Sequence, residues 1–202
     1  MRASLAAVDV AILVPETVAA PARELSRQLA VNRPDALRLD DTHLVHVTLA
    51  QQFVERLRLD DLVAELDRML RHEPALALRV VGATAAGGTV VLAIESTPDL
   101  RRVHEQVMDV IEPFESPQGS AAAFRADGET IRPRDVGWVR NYREQAAGAH
   151  YRPHVTVGHG GRAPEVAPIA FQADRIALCE LGRFCTCRSV LRQWTLGAPG
   201  AA

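Results

Sequence analysis

Two ten-residue stretches, HLVHVTLAQQ at 43–52 and YRPHVTVGHG at 151–160, repeat one frame of His, aliphatic, Thr, aliphatic. Each is apolar enough for a buried strand, yet each carries a histidine and a threonine two positions apart. In a strand, residues two apart share a face. His46 and Thr48 therefore point together, and Val45, Val47 and Leu49 point oppositely into a core. In the second stretch Arg152, His154 and Thr156 share a face, while Val155 and Val157 take the other. A chain with two such strands must give each a core on one side and open space on the other.

The remaining pattern supplies the partners. VDVAILVP reads as a short buried strand closed by Pro15, and a helix is expected from about Glu16 to Ala30. LDDLVAELDRMLRH places leucines at helical spacing behind Asp60 and Asp61, which suit a helix N-terminus. ALALRVVGATA and GTVVLAIES flank Gly87-Gly88, a hairpin signal. TPDLRRVHEQVMDVIEPF reads as a helix with Pro98 in its first turn and Pro113 ending it. Residues 115–135, rich in Ser, Ala, Gly and charge, are expected to form a long mobile loop. WVRNYREQAAG is expected to be a short helix, ADRIALCEL and RSVLRQWTL two last strands, and GAPGAA a frayed tail. Hairpin-like neighbours favour an α+β fold over a doubly wound parallel one.

Composition limits the chemistry. A net charge of −2 gives no global basic field for long nucleic acid, so an anionic substrate must be held by a few placed groups. All 23 cationic side chains are arginine, which rules out a Schiff-base or lysine-base mechanism. Cys179, Cys185 and Cys187 are odd in number and lack a CxxC pair, so neither a disulfide framework nor a zinc ribbon is indicated. Asp9 interrupts the apolar run near the N-terminus, which reads as a core strand rather than a signal peptide, and a cytoplasmic protein is expected. No apolar stretch approaches the roughly 18 residues of a membrane span.

Two histidines and two hydroxyls suit displacement at phosphorus. One imidazole can take a proton while the other gives one, because an unperturbed pKa near 6.5 lets both forms exist. Threonine hydroxyls can donate to phosphate oxygens. His43 and His159 do not complete a metal set, because strand parity splits each from its neighbouring motif histidine and neither motif carries a carboxylate. Arg152 could meet a phosphate bidentately and Tyr151 or Trp138 could stack a base. Arg140, Arg143 and Arg162 flank the second motif as a local basic rim, and His72, His104 and His150 have no partner motif.

His46-Val47-Thr48-Leu49 and Tyr151-Arg152-Pro153-His154-Val155-Thr156-Val157-Gly158 resemble the paired HxT motifs of the 2H phosphoesterase superfamily, which includes 2′-5′ RNA ligase-like proteins and 2′,3′-cyclic phosphodiesterases. The likeness extends over about residues 7–196. The first motif departs in having Val45 where many members have proline, and His154 follows His46 by 108 residues, a long spacing that points to 115–135 as a loop insertion. The resemblance implies one bilobal domain over 1–202, with two antiparallel sheets backed by helices, interleaved in sequence and related by a pseudo-twofold across a central cleft. It implies His46 and His154 as the acid/base pair, Thr48 and Thr156 as phosphate contacts, and no cofactor or metal. The expected activity is hydrolysis of 2′,3′-cyclic phosphates or 2′-5′ linkages, with an RNA-end-binding module or a 2′-5′ RNA ligase as alternatives. The expected partner is a nucleotide or RNA terminus bearing such a phosphate, not a membrane or double-stranded DNA, and the expected state is a monomer.

Overall fold

A computed structural model describes residues 4–33, 35–160 and 162–197. The strands are β1 (Leu5–Leu13), β2 (His46–Glu55), β3 (Leu76–Ala86), β4 (Thr89–Ile94), β5 (His154–His159), β6 (Ile169–Ala173), β7 (Arg175–Leu181) and β8 (Cys187–Thr195). The helices are α1 (Glu16–Leu29), α2 (Leu59–Leu70), α3 (Pro98–Ile111), α4 (Pro133–Arg140) and α5 (Tyr142–Ala146). The strands form two four-stranded sheets, ordered β2-β1-β7-β8 and β5-β4-β3-β6, and every neighbouring pair is antiparallel. The α+β expectation holds, and no described helix is long and apolar enough to cross a membrane.

Alternation in the central strands sets what each face does. In β1, Ala6, Val8, Val10 and Ile12 enter the main core. Ala7, Asp9, Ala11 and Leu13 take the opposite face of the pleat, where Ala7 and Ala11 join two smaller apolar clusters. Helix α2 turns Leu62, Leu66 and Leu70 inward, one per turn, with Asp60 and Asp61 in the first turn where the helix dipole favours acid. Fully burying such a leucine contributes about 1.5–3 kcal/mol. Helix α3 begins where Thr97 caps it, its side chain accepting from the Leu100 N–H at 3.2 Å ahead of Pro98 at the first helical position. Val155 and Val157 of β5 and Val47 and Leu49 of β2 enter the same main core, so both histidine faces look away from it.

Three local expectations are corrected. The sequence reading missed β6, a five-residue strand beside β3, because Ala173 was assigned to the start of the following run. The predicted helix at 138–148 is two shorter ones, α4 starting earlier at Pro133 and α5 following Asn141. The stretch 115–135 is pinned rather than loose. Ser116 N–H donates to Phe53 O at 2.8 Å, Phe124 meets the Phe53 ring edge-on at 5.7 Å, and Arg125 N–H donates to Leu181 O at 2.8 Å. Gly119 lies flat on Phe53, where a Cβ would fall 2.0 Å from the ring. Of the tail, only Gly197 is among the described residues; the expectation for 198–202 lies outside them.

Candidate active site

The two motif strands lie against each other, and the Tyr151 hydroxyl joins them by donating to Thr48 O at 3.1 Å. Each motif histidine is held by a short bond to its own strand. His46 Nδ1–H donates to Leu44 O and His154 Nδ1–H to Arg152 O, both at 2.7 Å. A carbonyl can only accept, so this contact fixes the proton on Nδ1 and leaves each Nε2 with a free lone pair. The same device two residues upstream of both histidines gives two imidazoles in one tautomer.

Burial lowers both. His46 is brought to about 4 by desolvation, opposed by the Leu44 carbonyl and reinforced by His154, a sign that the two rings feel each other. His154 is also lowered by desolvation, with the Arg152 carbonyl opposing. Near neutral pH both are therefore neutral bases in the free protein.

A bulge in each strand widens the site. In β2, Thr48 pairs with Ala11 and Ala50 with Val10, so Leu49 is the extra residue. In β5, Thr156 pairs with Val91 and Gly158 with Val90, so Val157 is extra. One added residue flips the side-chain parity beyond it. Gln51 therefore joins the face of His46 and Thr48, and His159 joins that of His154 and Thr156. The parity rule that set His159 apart assumed unbroken strands and is corrected by the bulge. His43 does remain outside, because it precedes β2 and is held by Asp40 at 2.9 Å and by Arg188. The bulged Leu49 carbonyl accepts from His104 Nδ1 at 2.7 Å and from the Tyr142 hydroxyl at 3.5 Å.

Asp9 and Gln51 are the residues that sequence reasoning missed here. Asp9 of β1 is wholly buried beneath the first motif, with Oδ2 2.8 Å from Thr48 Oγ1 and 3.5 Å from His46 Nε2. Gln51 Nε2–H donates to the same oxygen at 2.8 Å and to Cys185 O at 3.3 Å. Burial pushes the Asp9 carboxyl up to about 8, against the hydrogen bonds from Gln51 and Thr48 and the neighbouring Cys187 thiol, which favour the anion. A protonated Asp9 can donate to Thr48 Oγ1 and leave the Thr48 hydroxyl hydrogen for another acceptor; an ionised one can only accept it. The signal was visible as a lone charge inside an apolar run.

Tyr151 and Arg152 do not present themselves as substrate contacts. Tyr151 is buried, its ring stacked on His104 at 3.7 Å and nearly parallel, so neither the stacking face nor the hydroxyl is free. Arg152 precedes β5 and is exposed, its guanidinium turned back to Ala149 O at 2.9 Å and Tyr151 O at 3.0 Å. Trp138 packs edge-on against Tyr142 at 6.2 Å. Arg140 donates to Gly119 O and Arg143 pairs with Glu115, so the expected basic rim is tied down, apart from an exposed Arg162.

At the far end of the motif face, the turn between β7 and β8 brings Phe184 within 5.0 Å of the His159 ring, between Arg132 at 3.9 Å and Arg183 at 4.7 Å. Phe184 and Cys185 both have left-handed backbone, at φ 66 and 53, a conformation that surrounding contacts must hold. The Phe184 N–H donates to Asp135 Oδ2 at 3.3 Å, and Gln51 grips Cys185 O.

Comparisons with known proteins bear on the family and the fold. The sequence matches the family model of the 2′-5′ RNA ligase superfamily over residues 14–180. Among solved structures it is similar to the TT0787 protein of Thermus thermophilus, at 19% identity and TM-score 0.60, over 95% of this chain and 98% of that one. It is also similar to E. coli LigT complexed with NADP+, at 18% identity and TM-score 0.56, over 96% and 99%. LigT complexed with 3′-AMP gives 17% and 0.58, over 95% and 98%. No curated protein matches the sequence. The match over most of the chain, on a fold that sets two HxT strands side by side, makes this chain a member of the 2′-5′ RNA ligase superfamily, the 2H phosphoesterases.

Proposed function

We propose that the chain is a metal-independent phosphodiesterase that opens 2′,3′-cyclic phosphates or cleaves 2′-5′ linkages of nucleotides or RNA ends. The observation that carries this reading is the pair of imidazoles whose Nδ1 protons are tied to backbone carbonyls, each with its Nε2 and a threonine hydroxyl on the motif face. With a substrate phosphate between them, one Nε2 takes a proton from water as the water oxygen attacks phosphorus. The other, as imidazolium, gives its proton to the ribose oxygen as the P–O bond breaks. Thr48 and Thr156 donate to the phosphoryl oxygens, where negative charge builds. The anionic substrate supplies what burial removes: a negative charge beside a depressed histidine favours its protonated form.

The family's name and LigT's complex with 3′-AMP support a nucleotide substrate. A 3′-phosphate is what remains when a cyclic phosphate loses its bond to O2′. Ligation of 2′-5′ ends would use the same residues, with a ribose 5′-hydroxyl in place of water attacking the cyclic phosphate as the bond to O3′ breaks, and is the second reading, favoured by the family's name. All four motif residues are intact, which weighs against a binding module without turnover.

The test is hydrolysis of a panel of 2′,3′-cyclic mononucleotides and 2′-5′ dinucleotides in EDTA, beside the His46→Ala/His154→Ala double variant. Turnover that survives chelation and is lost in the variant is expected, with each single variant slowed about 10²–10⁴-fold. Equal turnover by the double variant would overturn the reading.

A further inference from the structure

We infer that Asp9, His46 and Cys187 form a binding site for a thiophilic divalent cation such as Zn2+, and that its occupancy switches off the two-histidine chemistry. The inference rests on the proposed role of His46, but the site itself does not. One donor atom from each residue, a carboxylate oxygen, a ring nitrogen and the thiol sulfur, lies within 4.8 Å of the other two. No sequence spacing announces this set, because its members come from β1, β2 and β8.

Each donor is available. His46 Nδ1 is committed to Leu44 O, which leaves Nε2, and that nitrogen already faces Asp9. Asp9 divides its labour. Oδ2 takes Thr48 and Gln51, whereas Oδ1 is buried without a hydrogen-bond partner among the described residues. An orphaned buried carboxylate oxygen calls for an explanation, and a bound cation would supply one. Cys187 is fully buried with its thiol against the Asp9 carboxyl.

The donor set selects the ion. One thiolate, one imidazole and one carboxylate suit Zn2+ or Co2+, whereas Mg2+ and Ca2+ prefer oxygen-only shells. Three protein ligands leave a fourth tetrahedral position for water or a substrate phosphate oxygen. Bond lengths near 2.0–2.3 Å require the donors to close by roughly an ångström, a side-chain adjustment. On binding, the thiol proton and, below about pH 8, the Asp9 carboxyl proton leave to the buffer as the sulfur–metal and oxygen–metal bonds form, and no electron changes hands. The bond to Nε2 occupies the lone pair His46 needs as a base and blocks the proton it needs as an acid.

The experiment uses the full chain, stripped with EDTA and desalted, with Zn2+ or Mg2+ added. Expected are one bound Zn2+ per chain, loss of turnover to the level of His46→Ala, recovery with EDTA, and no effect of Mg2+. Co2+ in place of Zn2+ should give a near-ultraviolet thiolate-to-metal charge-transfer band. Cys187→Ser should keep the EDTA-treated rate, lose the band and need at least tenfold more Zn2+ for the same inhibition. Cys179→Ser, which alters the neighbouring thiol, should keep all the wild-type responses. If Cys187→Ser misfolds, Cys187→Ala and Asp9→Asn read the same band. Equal Zn2+ sensitivity of wild type and Cys187→Ser, or a band that survives in Cys187→Ser, would overturn the inference. The band needs no turnover, so a protein inactive on every substrate would sink the hydrolase reading while still testing the metal site.

Discussion

At the scale of single residues, the motif histidines are set by two opposed influences. A carbonyl two residues upstream anchors the ring and favours the charged form, while burial disfavours it more strongly in both. The proposed mechanism needs one histidine protonated and one neutral, and free-enzyme pKa values govern kcat/KM. Both lie below the ordinary 6.5, with His46 at about 4, so the populated acid/base combination lies on the acid side. We predict a kcat/KM profile, measured in EDTA, that peaks below pH 6.5 and falls about tenfold per unit above the upper pKa. The kcat profile should lie at higher pH, because bound phosphate favours the imidazolium. A kcat/KM flat from pH 6 to 8 would contradict this account of the free site.

At the scale of elements, the strand bulge separates what the sequence shows from what it hides. His46, Thr48, His154 and Thr156 were legible because alternation from a histidine to a threonine two residues on is local. Gln51 and His159 were not, because Leu49 and Val157 break the register and only the pairing partners in β1 and β4 reveal it. The α+β class was legible from hairpin signals and helical spacing, yet β6 was lost beside a longer strand. Asp9 could be seen as an anomaly in β1, but its partnership with β2 and β8 is a matter of tertiary pairing. The glycine closing the second motif has an element-scale cause. Gly158 faces α1, where an added Cβ would lie 2.9 Å from Leu29 Cδ1 and 3.1 Å from its Cβ. We expect Gly158→Ala to destabilise by about 1–3 kcal/mol through overpacking. Leu29→Ala should suppress much of that cost, and a double-mutant cycle in urea should return a coupling above about 0.5 kcal/mol. Additive losses would place the strain elsewhere.

At the scale of the whole molecule, the two motif strands are alike but their settings differ. Asp9 pairs with Gln51 in one sheet, and Thr89 pairs with His159 at the corresponding place in the other. One half of the site thus stands over a buried acid and the other over a hydroxyl, and this difference is written into the pH dependence of folding. Asp9 titrates near 3.8 unfolded and about 8 folded, so between those values the native state holds the extra proton and stability falls as pH rises. His46 moves the other way, from 6.5 unfolded to about 4 folded, so the unfolded state holds the extra proton and stability rises over that interval. His154, His104 and His159 are lowered too and add to the rise below 6.5. The contributions oppose each other from about pH 4 to 6.5, and from 6.5 to 8 the Asp9 slope stands alone, at most about 1.4 kcal/mol per unit. Urea midpoints of the wild type in EDTA should therefore decline between pH 6.5 and 8. Asp9→Asn cannot ionise, so its midpoint should hold level over that range whatever its absolute stability. Parallel declines in the two proteins would mean that Asp9 is already charged in the fold at pH 6.5, with its full negative charge beside His46 and Thr48.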